Sequence, residues 1–128
     1  MTTLATNWKG PRHAELRKQR KACEKALRRE VVAAVLRRDG WQCRCCGGKV
    51  ALHVHEIVPR SLGGDPLMVS ECVTLDRECH LDRGVHAMVG GRYLTIEGTN
   101  ADGPLTFVWM RGDKRGVRIV SVPKGVRR

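Results

Sequence analysis

A chain of 128 residues has the length of one ordinary domain, and 41% apolar residues with few aromatics (Trp8, Trp41, Tyr93, Phe107, Trp109) predict a thin core. No apolar run is long enough to cross a membrane and no apolar signal core opens the chain, so neither a membrane-spanning nor a secreted protein is expected, and the cytoplasm is. A formal charge of +11 makes a compact chain repel itself, which predicts an anionic partner, nucleic acid first.

Residues 1–39 hold eleven Lys/Arg against four Asp/Glu and read as a basic arm. The opening TNWKGPRH is rich in turn formers. From residue 13 to residue 38, Leu16, Ala22, Cys23, Ala26, Leu27, Val31, Ala34 and Val35 recur at three- and four-residue spacing. A helix is predicted there, with Pro11 at or just before its start and Gly40 as its stop. A solvated amphipathic helix alone accounts for its charges. The cluster RKQRK and the overall excess favour instead a helix laid along a phosphate backbone, with Arg17, Lys18, Arg20, Lys21 and Arg28 as DNA-binding residues.

Residues 40–90 are near neutral, with five Lys/Arg against six Asp/Glu. CRCCGGK leads into VALHVHEIV, whose alternation and β-branched residues predict a strand, interrupted by Gly63-Gly64-Asp65-Pro66. SECVTLD reads as a second short strand, and CHLDRGVHAMV as a helix of two to three turns. Residues 91–128 are basic again, eight Lys/Arg against three Asp/Glu. RYLTIEG and LTFVWM alternate around the turn TNADGP and predict a hairpin, to which GVRIVSV offers a third strand; PKGVRR is a basic tail. The tripeptide RGD at Arg111 carries no weight in a chain not expected outside the cell.

Six cysteines in such a chain point to metal rather than disulfides. Cys43 and Cys46 form a C-x-x-C followed by two glycines, which lets backbone N–H groups turn toward sulfur and makes half of a tetrahedral zinc site. Asp76 and Cys79 offer the other half, a carboxylate standing where a second thiolate would. Cys72 is a rival ligand, but on an extended strand it lies roughly 13 Å from position 76. Reduced core cysteines without metal are the alternative. Cys45 is expected to be a bystander and Cys23 a free thiol.

The segment 37–86, through RDGWQCRCCGG, HEIVPRSLGG and VTLDRECH in that order, resembles the core of the HNH endonuclease family, the treble-clef form of the ββα-metal nucleases of bacteria and phages. The motifs are short, and their order and spacing together are specific. The resemblance implies an α+β fold in three parts. They are a basic N-terminal arm and helix (1–39), a small zinc-stapled ββα-metal core (40–90), and a C-terminal β-hairpin with a basic tail (91–128). It implies metal-dependent hydrolysis of DNA, with one structural zinc and one divalent catalytic ion (magnesium, manganese, nickel or zinc). His55 takes the strand metal-ligand position, Glu56 the position of the general base, and His80 and His86 the helix ligands. Arg60 lies where a guanidinium grips phosphate.

Three departures from the family pattern carry weight. Glu56 stands where relatives have histidine, and a carboxylate is the weaker base at neutral pH; His53, on the face of the strand that carries His55, is an alternative base. Glu71 stands where relatives place an asparagine that ties the loop together. His80 and His86 are six apart, about 240° around an ideal helix, so they share one ion only if the helix starts late. Asp82 and His86, four apart, offer another ligand pair. The rival expectation is a zinc-containing nucleic-acid-binding module that does not cut, such as a docking subunit of a phage packaging complex beside the terminase. An RNA-binding protein of the ribosome is a weaker one.

Overall fold

The computed structural model describes residues 11–82 and 84–124. The opening through Gly10, with Trp8, and the last four residues of the basic tail lie outside the described residues. One long helix, α1 (Pro11–Arg38), precedes two small antiparallel sheets. The first pairs β1 (Leu52–Glu56) with β2 (Cys72–Asp76); the second is a meander of β3 (Arg92–Glu97), β4 (Leu105–Arg111) and β5 (Lys114–Ser121). The chain divides into two units, one ending at Glu30 and the other beginning at Val31. Among the described residues no helix is long and apolar enough to cross a membrane.

In the first unit, α1 follows the predicted span but hides little. Residues 13–30 are exposed or at most half-buried, and Leu16 and Leu27 remain 43% and 42% exposed. Their apolar spacing is compatible with helix without producing a buried stripe. Arg17, Lys18, Arg20 and Lys21 stand in solvent and Arg28 is half-buried.

The second unit starts where the helix turns aliphatic. Val31 and Val35 are buried against Cys72, with Val54, Leu67 and Val69 around them. The helix stops as expected: the Asp39 N–H closes on the Val35 carbonyl, and Gly40 carries a φ of 73°. β2 is buried on both faces from Cys72 to Leu75, Thr74 included. Alternation sends Cys72 and Thr74 toward the helix end and Val73 and Leu75 into the main core. There Val73 and Leu75 meet Leu94, Leu105 and Phe107 of the meander, together with Cys43, Cys45, Cys79 and Ala101. Phe107 is the one aromatic ring fully buried among the described residues, so cysteines supply much of what joins the two sheets.

A buried ionic hub reinforces that join. The Asp39 carboxylate, fully buried, accepts from Arg38 Nε (2.8 Å) and Nη2 (2.9 Å), from Arg44 Nη1 (2.8 Å) and from the Thr74 backbone N–H (2.9 Å). Arg38 also donates to the Val69 and Cys72 carbonyls, and Arg44 to the Ala101, Gly103 and Ser121 carbonyls and the Ser121 hydroxyl. Burial alone would raise the Asp39 carboxyl. The hydrogen bonds and charge of Arg38, then Arg44 and the Thr74 N–H, hold it below the usual carboxylate range.

One expectation holds and one changes. The third strand offered by GVRIVSV is present as Lys114–Ser121, paired to β4 from Leu105↔Ser121 to Arg111↔Lys114, which makes the C-terminal part a meander. The helix of two to three turns expected after Cys79 is a single widened turn, Glu78–Asp82, followed by non-helical chain.

Candidate metal centres and the cavity beside them

Cys43 and Cys46 sit in a tight loop between α1 and β1, closed by Cys43 N–H to Gly48 O (2.7 Å) and Gly47 N–H to Cys43 O (2.9 Å). Backbone N–H groups of Cys46 and Gly48 point at the Cys43 and Cys46 sulfurs, at 3.5 and 3.4 Å. Asp76, at the end of β2, lies 2.8 Å from the Cys46 sulfur and accepts the Cys79 backbone N–H at 2.8 Å. A Cβ on Gly48 would meet the Asp76 carboxylate at 2.5 Å, so only glycine lets that oxygen come in. Ligand atoms of Cys43, Cys46, Asp76 and Cys79 all lie within 4.8 Å of one another.

A tetrahedral ion bonded to sulfur at about 2.3 Å and oxygen at about 2.0 Å spaces its ligands roughly 3.3–3.8 Å apart, so the four donors fit one ion. The sulfurs behave as an unequal set. A hydrogen bond from the Cys79 thiol lowers the Cys43 pKa to about 6, while Cys79 itself is raised by its bonds to Cys43 and Cys45 and by burial. A thiol that sheds its proton easily is a ready metal ligand. Cys45 is buried beside this set but is not one of the four. Cys72, the rival, faces the helix end, and Cys23 is an exposed free thiol.

Next to this site three histidines converge. β1 presents His53 and His55 on one face, opposite Leu75 and Val73 of β2. Ring centroids of His55 and His86 are 5.0 Å apart, of His55 and His80 5.2 Å, and of His80 and His86 4.8 Å. Ligand nitrogens of all three lie within 4.8 Å of one another. The six-residue spacing, unfavourable on an ideal helix, works because the turn is wide. Val85 N–H bonds to Cys79 O (3.0 Å) and His86 N–H to His80 O (3.1 Å), so six residues complete the circuit and the two imidazoles meet edge to face. Gly84 permits it, since a Cβ there would lie 1.6 Å from the Cys79 carbonyl oxygen.

Burial and neighbouring imidazoles keep the His55 and His80 rings neutral. Burial first, then the neighbouring His80 and His86, lower the His55 pKa to about 4; burial, His86 and His53 lower His80 to about 4. A neutral imidazole has a lone pair to give a cation. His53 stands outside the trio. Its Nδ1 is 3.0 Å from Nδ1 of His80, so one of the pair donates to the other and Nε2 of His80 is left for an ion.

A cavity of about 330 Å³ opens on this cluster, lined by His55, Glu56, Pro59, Arg60, His80 and His86 among others. The loop that brings Arg60 there is tied twice. Leu62 and Gly64 N–H bond to the Pro59 carbonyl, and the Glu71 carboxylate accepts the Asp65 N–H (2.9 Å) while its carbonyl accepts that of Ile57 (2.9 Å). Asp82 stays outside the cluster, its Oδ1 3.4 Å from Arg77 Nε on the surface. The Asp39 hub was not anticipated; an Arg-Asp pair at a helix end and an arginine set between two cysteines were the only signals for it. No protein-family model, curated protein or solved structure matches the chain.

Proposed function

We propose that the protein is a metal-dependent DNA endonuclease or nickase of the HNH type, built on a treble-clef core with a structural zinc at Cys43, Cys46, Asp76 and Cys79. The observation that carries the proposal is the convergence of His55, His80 and His86 within 4.8 Å, on a cavity that Glu56 and Arg60 also line. A divalent ion bound by the three imidazoles supplies positive charge where negative charge develops on the phosphodiester. Arg60 grips the phosphate through its planar fork and positions the phosphorus in front of the histidines. Glu56 takes the proton of the attacking water. It is preferred to His53 because Glu56 lines the cavity and His53 does not. Glu71 performs the loop-tying that relatives assign to asparagine, which removes one objection to the family reading. Duplex DNA is the substrate because the chain's charge excess lies outside the near-neutral core, where basic arms hold backbone without reading sequence.

The test is nicking of supercoiled plasmid with magnesium, manganese, nickel or zinc. Wild-type protein is expected to nick in at least one of them. His55→Ala is expected to lose at least 100-fold of that rate while keeping its DNA affinity. Binding without nicking in every metal sinks the enzymatic claim and leaves the second reading, a nucleic-acid-binding module or packaging subunit that does not cut. The weaker base at Glu56 is what favours that reading.

A further inference from the structure

We propose that Arg92, Arg111 and Lys114 form a second phosphate-binding surface, distinct from Arg60, that grips the backbone of a nucleic-acid strand. It rests on the nucleic-acid-binding half of the proposed function and not on cleavage. The register of the meander sets it up. Arg92 of β3 pairs directly with Arg111 of β4, and Arg111 pairs directly with Lys114 of β5. Residues directly opposite in an antiparallel pair share a face with Cβ atoms about 5 Å apart, and like charges so placed destabilise a sheet. Three cations therefore stand in one row across three strands, spanning roughly 10 Å at the usual strand spacing.

Among the described residues no carboxylate pairs with the row. All three residues are exposed. Glu97, the acidic residue within these strands, is engaged by Arg115 and Arg118, and it belongs to the face of β3 that alternates with Arg92. Asp113 lies in the turn between β4 and β5 and makes no ion pair among the described residues. The row is pre-set as well. The Arg92 guanidinium lies over the Trp109 ring, 5.0 Å from its centroid, and Arg111 Nη1 reaches the Gly90 carbonyl at 3.4 Å. A cleft of about 230 Å³ opens beside it, and no carboxylate is among its described lining residues.

A line of cations fits a line of anions. A nucleic-acid strand carries a charge about every 3.4 Å of duplex axis, so the row can meet two or three phosphates, whereas a single phosphate cannot reach all three side chains. The row also lies close to the histidines in sequence and structure. Six residues separate His86 from Arg92, at most about 20 Å of chain, and the Leu94 N–H donates to the Gly84 carbonyl beside His86 (3.1 Å).

The experiment measures affinity for a duplex of fixed length against salt concentration. It compares wild type, the triple variant Arg92→Gln/Arg111→Gln/Lys114→Gln, and the control Arg77→Gln/Arg118→Gln, two exposed cations outside the cleft. At about 0.9 per phosphate contact, the triple variant is expected to flatten the slope of log K on log salt by roughly 2–3 and to weaken binding at least ten-fold at 0.1 M salt. Its melting temperature is expected to stay level or rise, because repulsion has been removed. The control is expected to keep the wild-type slope. An unchanged slope in the triple variant, an equal loss in the control, or binding to anionic lipid vesicles in place of DNA overturns the proposal. Failure of the wild type to bind DNA at low salt is a different result and sinks the nucleic-acid reading as a whole.

Discussion

At the scale of single residues, burial and protonation oppose one another at the imidazoles. His55 and His80 titrate near 4 in the fold, against about 6.5 in an unfolded chain. Between those values the unfolded state binds more protons, so stability is fully present above about pH 6.5 and is lost as pH falls toward 4. With no ion at the histidines, the denaturant midpoint is expected to fall over that window, and His55→Gln to remove part of the fall. A midpoint indifferent to pH in both proteins contradicts the assignment. The donor sets themselves were legible in the sequence: Cys43, Cys46, Asp76 and Cys79 on one side, and His55, His80 and His86 on the other, are brought together as expected. The role of His53 was not legible, because which ring nitrogen faces which partner depends on two strands and a turn meeting in space.

Among the elements, the widened turn after Cys79 departs most from expectation. Spacing arguments assume 3.6 residues per turn, and a six-residue circuit defeats them. Gly84 is the one local sign, and a glycine in a loop-like stretch is too common to be read that way. Gly84→Ala puts a Cβ into the Cys79 carbonyl, so the circuit must open and His80 and His86 must part. Metal affinity at the histidines is expected to drop at least ten-fold, by calorimetry, while cobalt at the cysteines keeps its visible spectrum. Equal affinity in both proteins would mean that the turn does not set the cluster. Strand periodicity served better. β1, β2, β3 and β4 fall where alternation placed them, and β5 extends beyond the offered GVRIVSV because Gly112-Asp113 makes a two-residue hairpin turn.

For the molecule as a whole, the few aromatics predicted a thin core, and two side-chain clusters help to join its sheets. One is the cysteine-carboxylate site in the core, and the other is the Asp39 hub. Charges at a helix end look like solvent-facing residues until the surrounding strands close over them, so the hub was invisible beforehand. Asp39→Asn leaves the Arg44 guanidinium buried without its counter-charge and Arg38 with only Asp102, 3.1 Å from its Nη1. It is expected to cost about 3–5 kcal/mol in urea unfolding at pH 7. A loss below about 1 kcal/mol would show that water or the carbonyl acceptors suffice.

Cys79 and His80 are consecutive, yet one belongs to the sulfur set and the other to the imidazole set. A single peptide link therefore joins the two donor sets, and Cys79 holds one end of the turn that carries His80. An ion held by the sulfurs would fix Cys79 and, one bond on, the start of the imidazole set. Emptying the first set would then loosen the frame of the second.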